Sequence, residues 1–195
     1  ATWAQKGFAG LTINDIAVDP ANVDVVYAGT GHRVYTQPGR VYKSIDSGET
    51  WQIALEVEEY ATGNCVFSIL VDANDSLGIY AGVNGRDKQV YKSTDGGKNW
   101  TGKDVGSGTG QDVDELVMTP AGHSPAAIYA RSGEPVLYKS IDHGETWQQI
   151  GADLSFPITD LTISRADPPA IYASHYEPGT DPEAEFYKST DGGRS

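Results

Sequence analysis

The sequence holds one cysteine, Cys65, and one methionine, and no run approaches the roughly 18 apolar residues of a membrane-spanning helix. A single cysteine excludes an intrachain disulfide, and no Cys/His constellation suggests a metal centre. Cys65 opens the apolar run Cys65-Val66-Phe67, where a small buried residue is expected rather than a catalytic thiol. Positive charge is scarce: 14 Lys and Arg stand against 27 Asp and Glu, a net charge of −13. So acidic a surface repels phosphate backbones and anionic bilayers, which argues against a nucleic-acid partner and against membrane insertion. No segment reads as a signal peptide, no Gly-rich phosphate loop is present, and no Gly-x-Ser-x-Gly elbow supports a serine nucleophile. No stretch carries the 3.6-residue period of a long amphipathic helix.

What is there is repetition. The phrase Tyr42-Lys43-Ser44-Ile45-Asp46-Ser47-Gly48-Glu49-Thr50-Trp51 recurs from Tyr91 to Trp100 and from Tyr138 to Trp147, and a fourth copy runs from Tyr187 to Ser195 without a tryptophan. Its serines stand at Ser44, Ser93, Ser140 and Ser189, intervals of 49, 47 and 49. A second phrase precedes each copy: Val26-Tyr27-Ala28-Gly29, Ile79-Tyr80-Ala81-Gly82, Ile128-Tyr129-Ala130 and Ile171-Tyr172-Ala173. Further upstream lie apolar sets at Ile13, Ile16, Val18; Val66, Ile69, Val71; Val113, Leu116, Met118; and Ile158, Leu161, Ile163. Each repeat therefore holds four short β-rich runs, termed A (near 13–18), B (25–30), C (41–45) and D (50–54) in the first, separated by turn residues. Four short antiparallel strands per repeat make the blade of a β-propeller, an all-β fold in which a blade must stack on its neighbours to bury its faces.

The recurring phrase sits at the C–D hairpin. Its aspartates, Asp46, Asp95, Asp142 and Asp191, are placed to accept turn N–H groups. Its glycines, Gly48, Gly97, Gly144 and Gly193, tolerate positive φ. Its tryptophans, Trp51, Trp100 and Trp147, are expected to cover the hairpin and bury a large apolar area. A device present in every repeat is structural, since one active site needs one copy. It is no calcium loop, because the alternating acidic ligands and distal Glu are absent.

These residues resemble the Asp-box, or BNR repeat. The fuller pattern is similar to that of xyloglucanase-type glycoside hydrolases, sortilin-type receptor propellers and the photosystem II assembly/stability factor. The resemblance covers nearly the whole chain and implies a propeller of about four blades, with repeats at roughly 6–54, 55–102, 103–150 and 151–195. Residues 1–5, with Thr2-Trp3, read as a closing strand for the last blade. The domain at 1–195 is either a single propeller or part of one, and copies assembling into a fuller ring remain a third arrangement.

Function is expected on the loops that vary over a repeating scaffold, here the B–C and D–A loops on one face. The B–C loops supply His32, Arg33 and Tyr35; Arg86 and Asp87; and His175, Tyr176 and Glu177. That face reads as acidic and tyrosine-bearing. At the start of strand A, Asp15, Ser68, Glu115 and Asp160 fall at equivalent positions and are expected around the mouth of the central channel, holding water or a cation.

The resemblance implies two kinds of function. One is a non-catalytic scaffold, without cofactor or metal, that binds a protein partner or packs into an assembly, outside the cytoplasm. The other is a fragment of a xyloglucanase-type hydrolase, or a glycan-binding module using Tyr35, Tyr60 and Tyr176. Such hydrolases need a carboxylate pair across a cleft between two propellers. Asp87 is the one acid near the matching position, so it is the catalytic candidate. Sialidases share the repeat but need an Arg-Ile-Pro motif and three converging arginines, which this sequence does not show.

Overall fold

A computed structural model describes residues 2–32, 37–57, 65–85, 88–106, 112–124, 126–151, 154, 156–176 and 185–194. Among them lie fifteen strands, all paired antiparallel, in four sheets. The first blade is β1 (Ile13–Val18), β2 (Val26–Thr30), β3 (Arg40–Ser44) and β4 (Gln52–Glu56). The second is β5 (Val66–Val71), β6 (Ile79–Val83), β7 (Val90–Ser93) and β8 (Thr101–Lys103). The third is β9 (Glu115–Met118), β10 (Ile128–Arg131), β11 (Leu137–Ser140) and β12 (Gln148–Ile150). The fourth holds three strands, β13 (Asp160–Ile163), β14 (Ile171–His175) and β15 (Glu185–Ser189). Each sheet runs in chain order, and the first strands lie side by side, β1 on β5, β5 on β9 and β9 on β13, so the sequence order of blades is their order in space. No helix among the described residues is long and apolar enough to cross a membrane.

The core sits in the seams between blades. Tyr27, Val41 and Leu55 of the first blade pack on Ile69, Val71 and Ile79 of the second, with Trp100 against them. Tyr80 and Val90 meet Leu116 and Ile128 at the next seam, with Trp147. Tyr129 and Leu137 meet Leu161 and Ile171 at the third. Burying the apolar faces this way, at about 25 cal/mol per Å² of apolar surface, is what holds neighbouring blades together. The tryptophans are only half-buried, less than their size suggested, because each lies over the hairpin at a seam margin.

Close approach near the axis dictates two residue choices. A Cβ on Gly29 would meet Val66 Cγ1 at 2.9 Å, and one on Gly82 would meet Val113 Cγ1 and the Val113 carbonyl at 2.8 Å. Only glycine lets these strands come so near the next blade. The third blade carries Arg131 at the equivalent place, and its guanidinium Nη1 donates to the Ile158 carbonyl at 3.0 Å, bridging the seam.

The closing strand expected at 1–5 does not pair with β15. Residues 2–6 form no strand, and the segment is held on the first blade instead. Phe8 lies 5.1 Å from the Tyr42 ring and 4.8 Å from the Trp51 ring. Trp51 Nε1 donates to the Lys6 carbonyl at 3.1 Å, and Lys6 pairs with Glu49 at 2.6 Å. Aromatic contact and an ion pair on the nearest blade thus fix the segment where it lies.

Candidate functional site

The four Ser-x-Asp-x-Gly turns share one hydrogen-bond pattern. Ser44 Oγ donates to Asp46 Oδ1 at 2.7 Å and accepts from Gly48 N at 2.9 Å. Asp46 in turn accepts from Thr50 N at 2.8 Å and Thr50 Oγ1 at 2.6 Å. Ser93 with Asp95 and Gly97, Ser140 with Asp142 and Gly144, and Ser189 with Asp191 and Gly193 repeat the arrangement. Donation from the side chain and backbone of Thr50, Asn99 and Thr146 holds Asp46, Asp95 and Asp142 at a pKa of about 2. These bonds all lie within the hairpin that carries each aspartate.

A different set of polar groups meets at the axial mouth. A cavity of about 390 Å³ opens there, lined from all four blades by Asp15, Ser68, Glu115 and Asp160, with Asn14, Asp114, Arg131 and Thr159 beside them. The strand positions picked from the repeat thus come together. In the first two blades a bulge helps to aim them: the β1–β2 register slips between Ile13 and Asp15, and the β5–β6 register between Val66 and Ser68.

Asp15, Ser68, Asn14 and Arg131 are tied to the neighbouring blade. Asp15 accepts from Ile69 N at 2.6 Å and from Ile16 N at 2.8 Å. Ser68 Oγ accepts from Leu116 N at 3.1 Å. Asn14 Nδ2 donates to the carbonyls of Val66 at 3.0 Å and Gly31 at 3.1 Å. Arg131 Nε donates to Glu115 Oε2 at 2.9 Å, and its Nη1 stands 3.7 Å from Asp114 Oδ2. Burial pushes the Glu115 pKa up, as does the nearby Asp160 carboxyl, while Arg131 works against both. The mouth is therefore acidic and polar, with Glu115 and Asp114 beside the Arg131 guanidinium. Among the described residues no group of three or more His, Cys, Asp or Glu is placed to hold a metal ion.

Of the loop residues singled out from the sequence, His32 is half-buried just past β2, beyond the Gly31–Cys65 bridge. His175 ends β14, its Nδ1 2.6 Å from the Pro157 carbonyl and its ring 5.0 Å from Phe156. Tyr176 beside it is 51% exposed. Arg33, Tyr35, Tyr60, Arg86, Asp87 and Glu177 lie outside the described residues. Sequence reasoning missed Arg131 and Asp114. The signal for Arg131 lies in the repeat, since register places it opposite Glu115.

No protein-family profile matches the chain. A curated xyloglucanase from a Paenibacillus species is 25% identical over 177 aligned positions, covering 76% of this chain and 16% of that protein. The GH74 enzyme of Niastella koreensis superposes with a TM-score of 0.70 at 25% identity, covering 90% of this chain and 28% of the other. A structure described as YCF48 bound to D1 peptide superposes with a TM-score of 0.60 at 15% identity, covering 92% of this chain and 54% of the other. The chain is thus similar to propellers of both kinds and spans well under two thirds of each.

Proposed function

We propose that this chain is a non-catalytic scaffold of Asp-box (BNR) blades that binds a protein partner through its B–C/D–A loop face, with the acidic axial mouth receiving a cationic segment of that partner. The observation that carries the reading is the state of the mouth. One polar residue from each blade lines it, yet the Asp15 and Glu115 carboxylates are engaged by backbone N–H groups and by Arg131. Groups fixed in this way supply a preorganised negative surface rather than an acid and base free to exchange protons with a substrate. The net charge of −13 extends the same field. A propeller of this fold described as bound to a peptide supports a protein partner, although at 15% identity the likeness bears on fold. The reading involves no cofactor, metal, nucleic acid or membrane insertion, and places the protein outside the cytoplasm.

A second reading rests on the 25% identity to a xyloglucanase. It makes the chain part of a carbohydrate-active hydrolase or a glycan-binding module, with Asp87 as the candidate acid. One experiment separates the two. The protein is titrated calorimetrically with a short Arg/Lys-rich peptide and, in parallel, incubated with xyloglucan while new reducing ends are measured. The expected result is peptide binding that weakens with added salt and in Asp160→Asn, with xyloglucan left intact. Sugar release that disappears in Asp87→Ala, or failure of the peptide to bind at low salt, overturns the scaffold reading.

A further inference from the structure

The A–B and C–D turns lie at the strand ends away from the axial mouth. There, in the internal seam between the third and fourth blades, a cavity of about 540 Å³ opens. Its walls are the A–B turns of both blades, Tyr129 and Lys139 of the third, and Thr190 to Gly192 of the fourth.

Two departures from the repeat shape it. Strand hydrogen bonds close the A–B turn around residues 20–24, 73–77 and 165–169 in the first, second and fourth blades, but around 120–126 in the third, two residues more. The longer turn is tied across the seam by His123. Its Nε2 lies 3.0 Å from the Ala166 carbonyl and its Nδ1 2.9 Å from the Pro120 carbonyl. Carbonyl oxygens only accept, so the two bonds favour the imidazolium and push the pKa of the ring up. The second departure is Gly192. His143 stands at that place in the preceding seam, its Nδ1 3.7 Å from Asp72, the equivalent of the cavity-lining Thr119. Where His143 puts a side chain, Gly192 leaves space.

Polar groups that the other seams satisfy internally are left over here. Tyr27 Oη donates to the Gly96 carbonyl at 3.2 Å, and Tyr80 Oη to the His143 carbonyl at 3.1 Å. Their equivalent Tyr129 is 2% exposed, and among the described residues its hydroxyl has no hydrogen-bond partner. Lys92 pairs with Glu145 at 2.6 Å in the second seam. Arg194 stands where Glu145 does, so the equivalent Lys139 meets no glutamate and donates to the Gly192 carbonyl at 3.3 Å. An ammonium carries three hydrogens, and that bond uses one. Burial, with the Arg194 charge, pushes the Lys139 pKa down against the pull of Asp191. A Cβ on Gly192 would meet Lys139 Nζ at 2.7 Å and Tyr129 Oη at 3.7 Å, so both groups converge on the bare turn.

We propose that this cavity binds a small hydroxylated carboxylate of the size of a uronic acid, its carboxylate held by Lys139 and Tyr129 where the second seam uses Glu145. The remaining wall suits the rest of such a molecule. Ser124, Thr190 and Asp167 offer partners to hydroxyl groups, and Ile141 and Pro168 offer an apolar surface to its C–H face. Asp167 and Asp191 also repel a multiply charged anion, which selects a single carboxylate over phosphate. The site is separate from the loop face and the axial mouth, so it stands or falls independently of them.

Calorimetric titration of the chain with D-glucuronate, D-glucose and inorganic phosphate at low salt tests the assignment. Glucuronate is expected to bind saturably, and glucose and phosphate at least about tenfold more weakly. Tyr129→Phe removes an unpartnered oxygen. Its urea midpoint should match the parent while glucuronate binding weakens about fivefold or more. Lys139→Met should weaken binding further. Gly192→His, which restores the side chain of the second seam, should abolish it while circular dichroism stays parent-like. No glucuronate binding up to about 10 mM overturns the proposal. So does glucose or phosphate that binds as tightly, or any of the three variants, folded, that keeps the parent affinity.

Discussion

The aspartate of each turn does its work through the protons it refuses. Asp46, Asp95 and Asp142 are held at a pKa of about 2, against an ordinary value of 3.8, by donors within their own hairpins. A carboxyl whose folded pKa lies below its unfolded one adds stability that is fully present above the unfolded value and is lost as pH falls through the folded one. Urea midpoints should therefore drop as pH falls from about 4 towards 2, and the triple change of these residues to Asn should flatten that drop. Glu115, whose pKa is raised, contributes in the opposite sense, its share being lost as pH rises through its folded value. Trp100→Ala should cost about 3 kcal/mol in denaturant unfolding, the lower end for a large aromatic, because the ring is half-buried. The turn hydrogen bonds follow from spacing, since local bonding between Ser, Asp and Gly depends on nothing distant. The burial of the tryptophan was not, because it depends on how the neighbouring blade approaches.

At the scale of strands, the repeat reveals which residues share a position, and so Asp15, Ser68, Glu115 and Asp160 group together from their spacing alone. What the repeat does not reveal is their partners. Asp15 binds Ile69 N across a seam, a contact set by blade stacking and by the bulge at Asn14, neither of which leaves a pattern in composition. The variable loops are harder still, for Asp87 has no acidic counterpart in the other blades to argue from. Arg131 allows a direct check on the mouth. Arg131→Ala leaves Glu115 half-buried beside Asp160 without its cation and should cost about 2 kcal/mol. Adding Glu115→Gln should return part of that loss, a coupling that a double-mutant cycle in urea measures.

Among the described residues the first strands of the blades lie on those of their sequence neighbours, β1 on β5, β5 on β9 and β9 on β13. Stability in such a row is a sum of blade and seam contributions. The β6 strand is buried along its whole length, whereas β15 is largely exposed. Native-state hydrogen exchange should accordingly find β6 amides the most protected and β15 amides among the first to exchange. The row itself followed from four phrases at near-equal intervals, while the path of residues 2–8 did not, because Phe8 and Lys6 choose the first blade by contacts that lie outside the repeat.

The exchange of glycine for arginine along strand B has a further consequence. At this position Gly29 and Gly82 let their strands meet Val66 and Val113 of the next blade without a charge. Arg131 instead reaches the Ile158 carbonyl of the fourth blade while its charge is held by Glu115 and Asp114 of its own. The second and third blades are tied by charge as well, farther out, where Lys92 and Lys103 converge on Glu145. Raising ionic strength should loosen these two later seams, so that a row of like blades has joints whose stiffness is set in part by its surroundings.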